Sequence, residues 1–159
     1  LISEAMDSVS GQKINEGLKW PNDLLIKKKK ICGILIESEI NADEVEFIVG
    51  IGINYSLPKK ESWWGEISEL ADILPREKLI NSILRGIINY SENGYENWKT
   101  EWEKRCMHMD KELKAVSNNQ RDIEIGIFKG INEEGKMLLQ TKSELKLISS
   151  GECSIKGVY

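Results

Sequence analysis

The chain reads as α+β: a mixed sheet packed on helices, followed by a small all-β unit. Three observations predict this. Up to residue 54, apolar residues come in short runs and alternations separated by turn residues. Between Pro75 and Trp102 they change to spacings of three and four. After Asp110, short alternating runs return at close intervals, about five in 50 residues, which suits a small barrel.

The elements follow in order. Residues 1–9 carry Leu1, Ile2, Ala5 and Met6 in the pattern of the tail of an amphipathic helix, and Ser10-Gly11 breaks it. The first residue is Leu and the pattern opens in its middle, so the sequence is expected to be the C-terminal portion of a longer protein. Leu18 to Trp20, Leu24 to Ile26, Lys30 to Ser38 and Val45 to Asn54 read as strands. Pro21 fixes its own φ and keeps Trp20 extended, and Asn22-Asp23 favours a turn through local hydrogen bonds. Asn41 to Asp43 reads as a hairpin turn. The run from Ile31 to Ile36, apolar apart from Cys32 and Gly33, reads as a buried strand.

Residues 55–74 are irregular, with a short helix expected within Glu66 to Ile73 and Trp63-Trp64 either exposed or docked on a neighbour. A long helix begins near Pro75 and ends at Asn93-Gly94. Its residues Leu79, Ile80, Ile83, Leu84, Ile87 and Ile88 form the stripe of one buried face. Tyr95, Trp98 and Trp102 mark a second helix, and such a tryptophan stripe is more often core than ligand box. Ile123, Ile125 and Ile127, then Met137 to Leu139, Leu145 to Ile148 and Cys153 to Ile155, supply the later strands. The division expected is 1–109 and 110–159.

Composition narrows the function classes. The 159 residues are 40% hydrophobic and 30% charged, which is ordinary for a soluble domain, with a net charge of −4 that argues against a general nucleic-acid surface. Apolar runs fall short of the roughly 20 residues that span a bilayer, and no secretory signal opens the sequence. Cys32, Cys106 and Cys153 lack metal-ligand spacing and are expected as reduced thiols, which fits a cytoplasmic setting. The single histidine, His108, follows a helix and is expected to be solvated or to cap it.

Two places have the makings of a site. Strand residues two apart share a face, so Gly50, Gly52 and Asn54 line one side of their strand and Val49, Ile51 and Ile53 the other. Two glycines weaken a strand unless something must approach its backbone closely. A floor without side chains that ends in an amide could hold a planar ligand, although two glycines could equally let a helix pack. The second place is Lys30. Lys27 to Lys29 read as a solvated turn, whereas Lys30 begins an apolar strand and its head group is partly desolvated. Simple alternation sets Lys30 and Gly33 on opposite faces, and either a bulge at the strand start or a main-chain contact would reconcile this.

These pieces resemble the biotin protein ligase family. Lys19-Trp20-Pro21-Asn22-Asp23 followed by Lys30-Ile31-Cys32-Gly33-Ile34-Leu35-Ile36-Glu37 is similar to its core signature. Ile48 to Asn54 is similar to its second glycine-rich strand, and Ser150-Gly151-Glu152-Cys153-Ser154 to a segment of its C-terminal domain. All four occur in the family's order. The resemblance implies a class II synthetase-like biotin/lipoate ligase core, incomplete here, and an SH3-like barrel. It implies ATP, Mg²⁺ and biotin as ligands, and a biotin carboxyl carrier domain of a carboxylase as acceptor. It does not exclude a homodimer, and it gives this chain no nucleic-acid or membrane partner.

By resemblance Lys30 is the catalytic residue. Lys30, Gly33, Leu35, Gly50 and Gly52 bind biotin. Asn22, Asp23 and Asn54 serve ATP, with Asn54 at the adenine and any Mg²⁺ near Asn22 and Asp23. The implied reaction joins the biotin carboxylate to the α-phosphorus of ATP, then passes the acyl group to a lysine. Because both reactants are anions, a lysine with an ordinary pKa of about 10.4 would act as a cation rather than a base.

The chain departs from the family pattern in two respects, the first being that the family's upstream biotin-contacting strand has no counterpart here. The Gly-Arg-rich loop that closes over the phosphates has no counterpart here, and Arg76, Arg85, Arg105 and Arg121 are scattered. A poorly active or inactive fragment is therefore expected. A lipoate-type ligase, or a non-catalytic remnant that binds biotin or a carrier, stands as an alternative.

Overall fold

The computed structural model describes residues 1–41, 44–58, 61–70, 72–117, 122–150 and 153–156, without the side chains of residues 41, 44, 69, 153, 154 and 156. The expected hairpin turn at Asn41 to Asp43, and Gly151-Glu152 of the C-terminal motif, lie wholly or partly outside them. Contacts divide the chain into two compact units: Leu1–Glu16 with Asn22–Glu96, and Gly17–Pro21 with Asn97–Tyr159.

In the first unit, α1 (Ile2–Ser10) buries Ile2, Ala5 and Met6 and ends at Gly11, whose φ of 68° is left-handed. After β1 (Glu16–Lys19), β2 (Asp23–Ile26), β3 (Lys29–Asn41) and β4 (Glu44–Ile53) form an antiparallel run in sequence order. Lys27 and Lys28 make the two-residue turn between β2 and β3, both at positive φ. Such a turn matches the twist of the strands it joins. Among the described residues, a 3-10 turn, Ser68–Leu70, is what forms of the expected short helix. The loop is nevertheless anchored: Ile67 and Leu74 are fully buried, and Tyr55 donates its hydroxyl to the Leu74 carbonyl at 3.1 Å.

α2 (Arg76–Asn93) follows Pro75 and ends at Gly94. The six-residue stripe expected on one buried face is split. Leu79 and Ile83 are buried, while Ile80, Leu84 and Ile88 are exposed. α1 packs along α2, with Leu1 against Gly86 and the Glu4 carboxylate accepting from both Tyr90 and Tyr95. The two tyrosine rings stack with centroids 4.5 Å apart. One neighbouring helix covers one line of residues, not the whole stripe. The buried-strand expectation for residues 31–36 is corrected in the same way: Ile31 and Cys32 are buried, but Leu35 and Ile36 are each 60% exposed. Further out on the β3–β4 hairpin Ile40, Val45, Phe47, Ile48 and Val49 are exposed on both faces.

In the second unit, α3 (Trp98–Arg105) precedes β5 (Glu112–Ser117), β6 (Ile123–Ile131), β7 (Met137–Gln140), β8 (Leu145–Ile148) and β9 (Cys153–Lys156). The five strands form one antiparallel sheet in the order β8-β7-β6-β5-β9. Its core is Leu113, Ala115, Phe128, Ile131, Met137, Leu139, Ile148 and Ile155, with Trp98 and Trp102 packed against it. The tryptophan stripe is therefore core. On β6 Ile123 and Ile125 face outward, about half exposed, while Gly126, Phe128 and Ile131 are buried. At Gly126 a Cβ would lie 2.5 Å from the Gln140 carbonyl oxygen, so the tight inward position requires glycine.

Trp20 belongs to this core, 2% exposed, with its indole nitrogen donating to the Gly135 carbonyl at 2.9 Å. The peptide bond to Pro21 is cis. Leu18 bridges Cys106 in parallel. This unit thus draws in residues well before 110, because a small sheet needs the tryptophans for a core.

His108 corrects the expectation of a solvated or capping residue. It is fully buried against Phe128, ring centroids 5.8 Å apart, and neither ring nitrogen has a hydrogen-bond partner among the described residues. Burial, reinforced by the charges of Lys19 and Lys111, pushes its pKa down to about 4 from the usual 6.5. Between these values the unfolded chain takes up a proton that the folded chain refuses. Stability is therefore full above pH 6.5 and falls as the pH drops towards 4, by roughly 3 kcal/mol for a shift of this size. Denaturant melts across pH 4–7 should show this slope, and His108→Leu should flatten it.

Candidate functional site

The site is built where β2 meets β3. Register runs Asp23 opposite Gly33 and Leu24 opposite Cys32, then shifts so that Leu25 faces Lys30. Ile31 is the extra residue, and this bulge supplies what alternation lacked: Lys30 and Gly33 come to one face. A Cβ on Gly33 would lie 2.9 Å from Lys30 Nζ and 3.5 Å from Asp23 Oδ1. The ammonium therefore lies over Gly33, held by Asp23 at 2.6 Å. The Lys30 side chain is 33% exposed and that of Asp23 18%.

The floor continues from there. Gly33 pairs with Gly52, and Leu35 with Gly50, so these four residues share the face over which the ammonium sits. A Cβ on Gly50 or Gly52 would meet nothing closer than 3.6 Å, so what these glycines leave is open space above the sheet rather than a tight backbone contact. Steric need differs at Gly33. A methyl there collides with the far end of a flexible lysine, which yields cheaply. Gly33→Ala should leave the melting temperature within about 2 °C, since surface changes of this kind cost about 0.5 kcal/mol or less. It should nevertheless displace the ammonium and weaken binding of a carboxylate ligand, measured by NMR titration.

The amides are partly committed. Asn22 donates its side-chain nitrogen to the Ile34 carbonyl, and its own carbonyl accepts from the Ile34 N–H at 3.0 Å. Asn54 donates its side-chain nitrogen to the Lys30 carbonyl at 3.1 Å. In each the side-chain oxygen is the atom that could meet a ligand. The thiol of Cys32 beside them is buried and its pKa is pushed up to about 11, chiefly by desolvation, so it is no nucleophile at neutral pH. Among the described residues no group of three His, Cys, Asp or Glu side chains converges to hold a metal. Asp23 alone, already paired with an ammonium, does not make a resident Mg²⁺ site.

The structure thus brings Asn22, Asp23, Lys30, Gly33, Leu35, Gly50, Gly52 and Asn54 onto one short stretch of sheet. The ion pair of Lys30 to Asp23 follows from the register shift. Sequence reading missed Trp63 and Gly65, whose main chain meets Lys30.

The glycine floor beside the Lys30 ammonium offers open space above the sheet and a positive charge at its edge. Residues 2–54 match the Biotin/lipoate A/B protein ligase family, and residues 110–156 the Biotin protein ligase C terminal domain. The chain belongs to the biotin protein ligase family. It is 30% identical to the bifunctional ligase/repressor BirA of Bacillus subtilis over 97% of its own length and 50% of the relative's. Against the BirA of Escherichia coli it is 25% identical, covering 98% of this chain and 50% of that one. The biotin protein ligase of Aquifex aeolicus in complex with biotin and ATP superposes with a TM-score of 0.71 at 25% identity, covering 98% of this chain and 67% of that one. The α+β fold with a small C-terminal β domain matches these structures. The chain spans about half the length of the curated relatives it matches. No helix among the described residues is long and apolar enough to cross a membrane.

Proposed function

We propose that this chain carries the biotin floor and the charge-neutralising lysine of a biotin protein ligase. The observation that bears the reading is the Lys30 ammonium over Gly33, at the edge of the floor formed with Leu35, Gly50 and Gly52. Biotin would lie on the floor with its carboxylate at Lys30. The nucleotide would lie beyond, with adenine at the Asn54 side-chain oxygen and phosphates towards Asn22. ATP would supply the leaving group: a biotin carboxylate oxygen attacks the α-phosphorus and pyrophosphate departs. A lysine amine of a carrier domain of a biotin-dependent carboxylase then attacks the acyl carbon, and AMP departs. Both steps are carried by bound substrates. What the chain adds is a positive charge where two anions must meet, about 4 kcal/mol for unit charges 4 Å apart at an effective dielectric of 20.

Any Mg²⁺ would enter with the nucleotide, since Asp23 is engaged with Lys30. The match to a biotin ligase C-terminal domain favours biotin over lipoate. The arginine-rich lid has no counterpart in the sequence, so the chain by itself should bind biotin while making little biotinyl-AMP. Ligand-observed NMR with biotin, lipoate and ATP, beside a radiolabelled adenylate assay, tests this. Biotin binding without appreciable adenylate is expected. Equal or stronger binding of lipoate would overturn the substrate, and rapid adenylate formation would overturn the division of labour.

A further inference from the structure

We infer that the Trp63–Gly65 segment is a main-chain clamp that positions Lys30, and that Gly65 is the residue that permits it. The need arises from where β4 stops. Ile53 pairs with Cys32, so β4 offers no partner to Lys30 or Ile31 on that side. The loop takes its place. The Lys30 N–H donates to the Trp63 carbonyl at 3.0 Å, and the Gly65 N–H donates to the Lys30 carbonyl at 2.8 Å. Trp64 bridges Lys30 in parallel, as one more short strand would. The Asn54 N–H closes the row on the Ile31 carbonyl at 2.7 Å.

The clamp therefore grips the residues on which the bulge depends. Were it released, the Lys30 N–H would lose its partner and the Lys30 carbonyl would keep only the Asn54 side chain, which would favour regular pairing with β2, and alternation would turn the ammonium away from Gly33. Gly65 admits no side chain here. A Cβ would lie 2.9 Å from Lys29 Cβ and 3.1 Å from Ile31 Cγ2. These atoms sit on or next to the backbone and cannot swing aside as a lysine tip can. The loop is also fixed at its far end, where the Ile67 N–H donates to the Asn54 carbonyl at 2.9 Å. It cannot retreat as a whole without disturbing Asn54.

The inference rests on the reading of Lys30 given above, and its test separates the two. In the 159-residue chain, Gly65→Ala is compared with wild type and with Gly65→Ala/Lys29→Gly, which removes the nearest of the close contacts. Three quantities are read: hydrogen exchange at the Lys30 and Gly65 amides, the acetylation rate of Lys30 relative to Lys27 and Lys28, and affinity for biotin against its methyl ester. Gly65→Ala should raise exchange at both amides at least tenfold, raise relative Lys30 acetylation several-fold and abolish the preference for the acid over the ester. Amides of the second unit should be unchanged, and the double variant should recover part of all three. Unchanged exchange and acetylation in Gly65→Ala would overturn the clamp, as would released amides with the acid preference intact. If wild type binds no biotin, the biotin reading falls, and exchange with acetylation still decides the clamp.

Discussion

Lys30→Met is expected to weaken biotin binding by roughly 100-fold while leaving the fold intact. A charge-assisted hydrogen bond contributes about 1.5–3 kcal/mol, or roughly 10- to 150-fold. Partial exposure of the Lys30 side chain pulls the effect down. The neighbour pulls it up. Asp23 is neutralised by this ammonium at 2.6 Å, and methionine leaves it as a bare carboxylate facing an anionic ligand. Removing one charge thus exchanges an attraction for a repulsion. Lys30→Arg keeps the charge but spreads it over a planar fork, and should retain part of the binding. NMR titration with circular dichroism as a folding control would measure both. Equal affinity of wild type and Lys30→Met would contradict the assignment.

Trp20→Ala is expected to destabilise the second unit by about 3–5 kcal/mol, the range for truncating a buried tryptophan. That is a large part of the roughly 5–15 kcal/mol that ordinarily holds a domain folded. The indole is 2% exposed among Phe128, Met137 and Leu139, and its N–H bond to Gly135 would be lost as well. Urea denaturation should show this loss, with Trp20→Phe recovering most of the packing but not the hydrogen bond. The Lys-Trp-Pro-Asn-Asp run is accordingly divided in its work. Trp20 builds the core of one unit, while Asn22 and Asp23 face the site in the other. An unchanged midpoint in Trp20→Ala would sink this division.

The elements were legible in the sequence because their patterns are local. The strand from Leu24 to Ile26, the helix after Pro75 and the strands around Ile125, Leu139 and Leu147 fall where alternation and helical spacing put them. Glycines two apart on β4 gave the floor by the same rule. Burial was less legible, because it depends on what covers a face. Ile36, Leu84 and Ile88 are as apolar as Ile31 and Ile83, yet exposed. His108 defeats composition outright: a buried histidine whose ring nitrogens have no hydrogen-bond partner among the described residues is a tertiary fact. The bulge at Ile31 lies between the two cases. Alternation showed that something had to give between Lys30 and Gly33, but the paired strand and the Trp63–Gly65 segment decide where.

The most direct measurement is a double comparison: biotin and biotin methyl ester titrated against wild type and Lys30→Met. If the ammonium meets the carboxylate, wild type should prefer the acid by at least tenfold, and Lys30→Met should bind acid and ester alike. A preference for the acid that survives the loss of Lys30 would contradict the account.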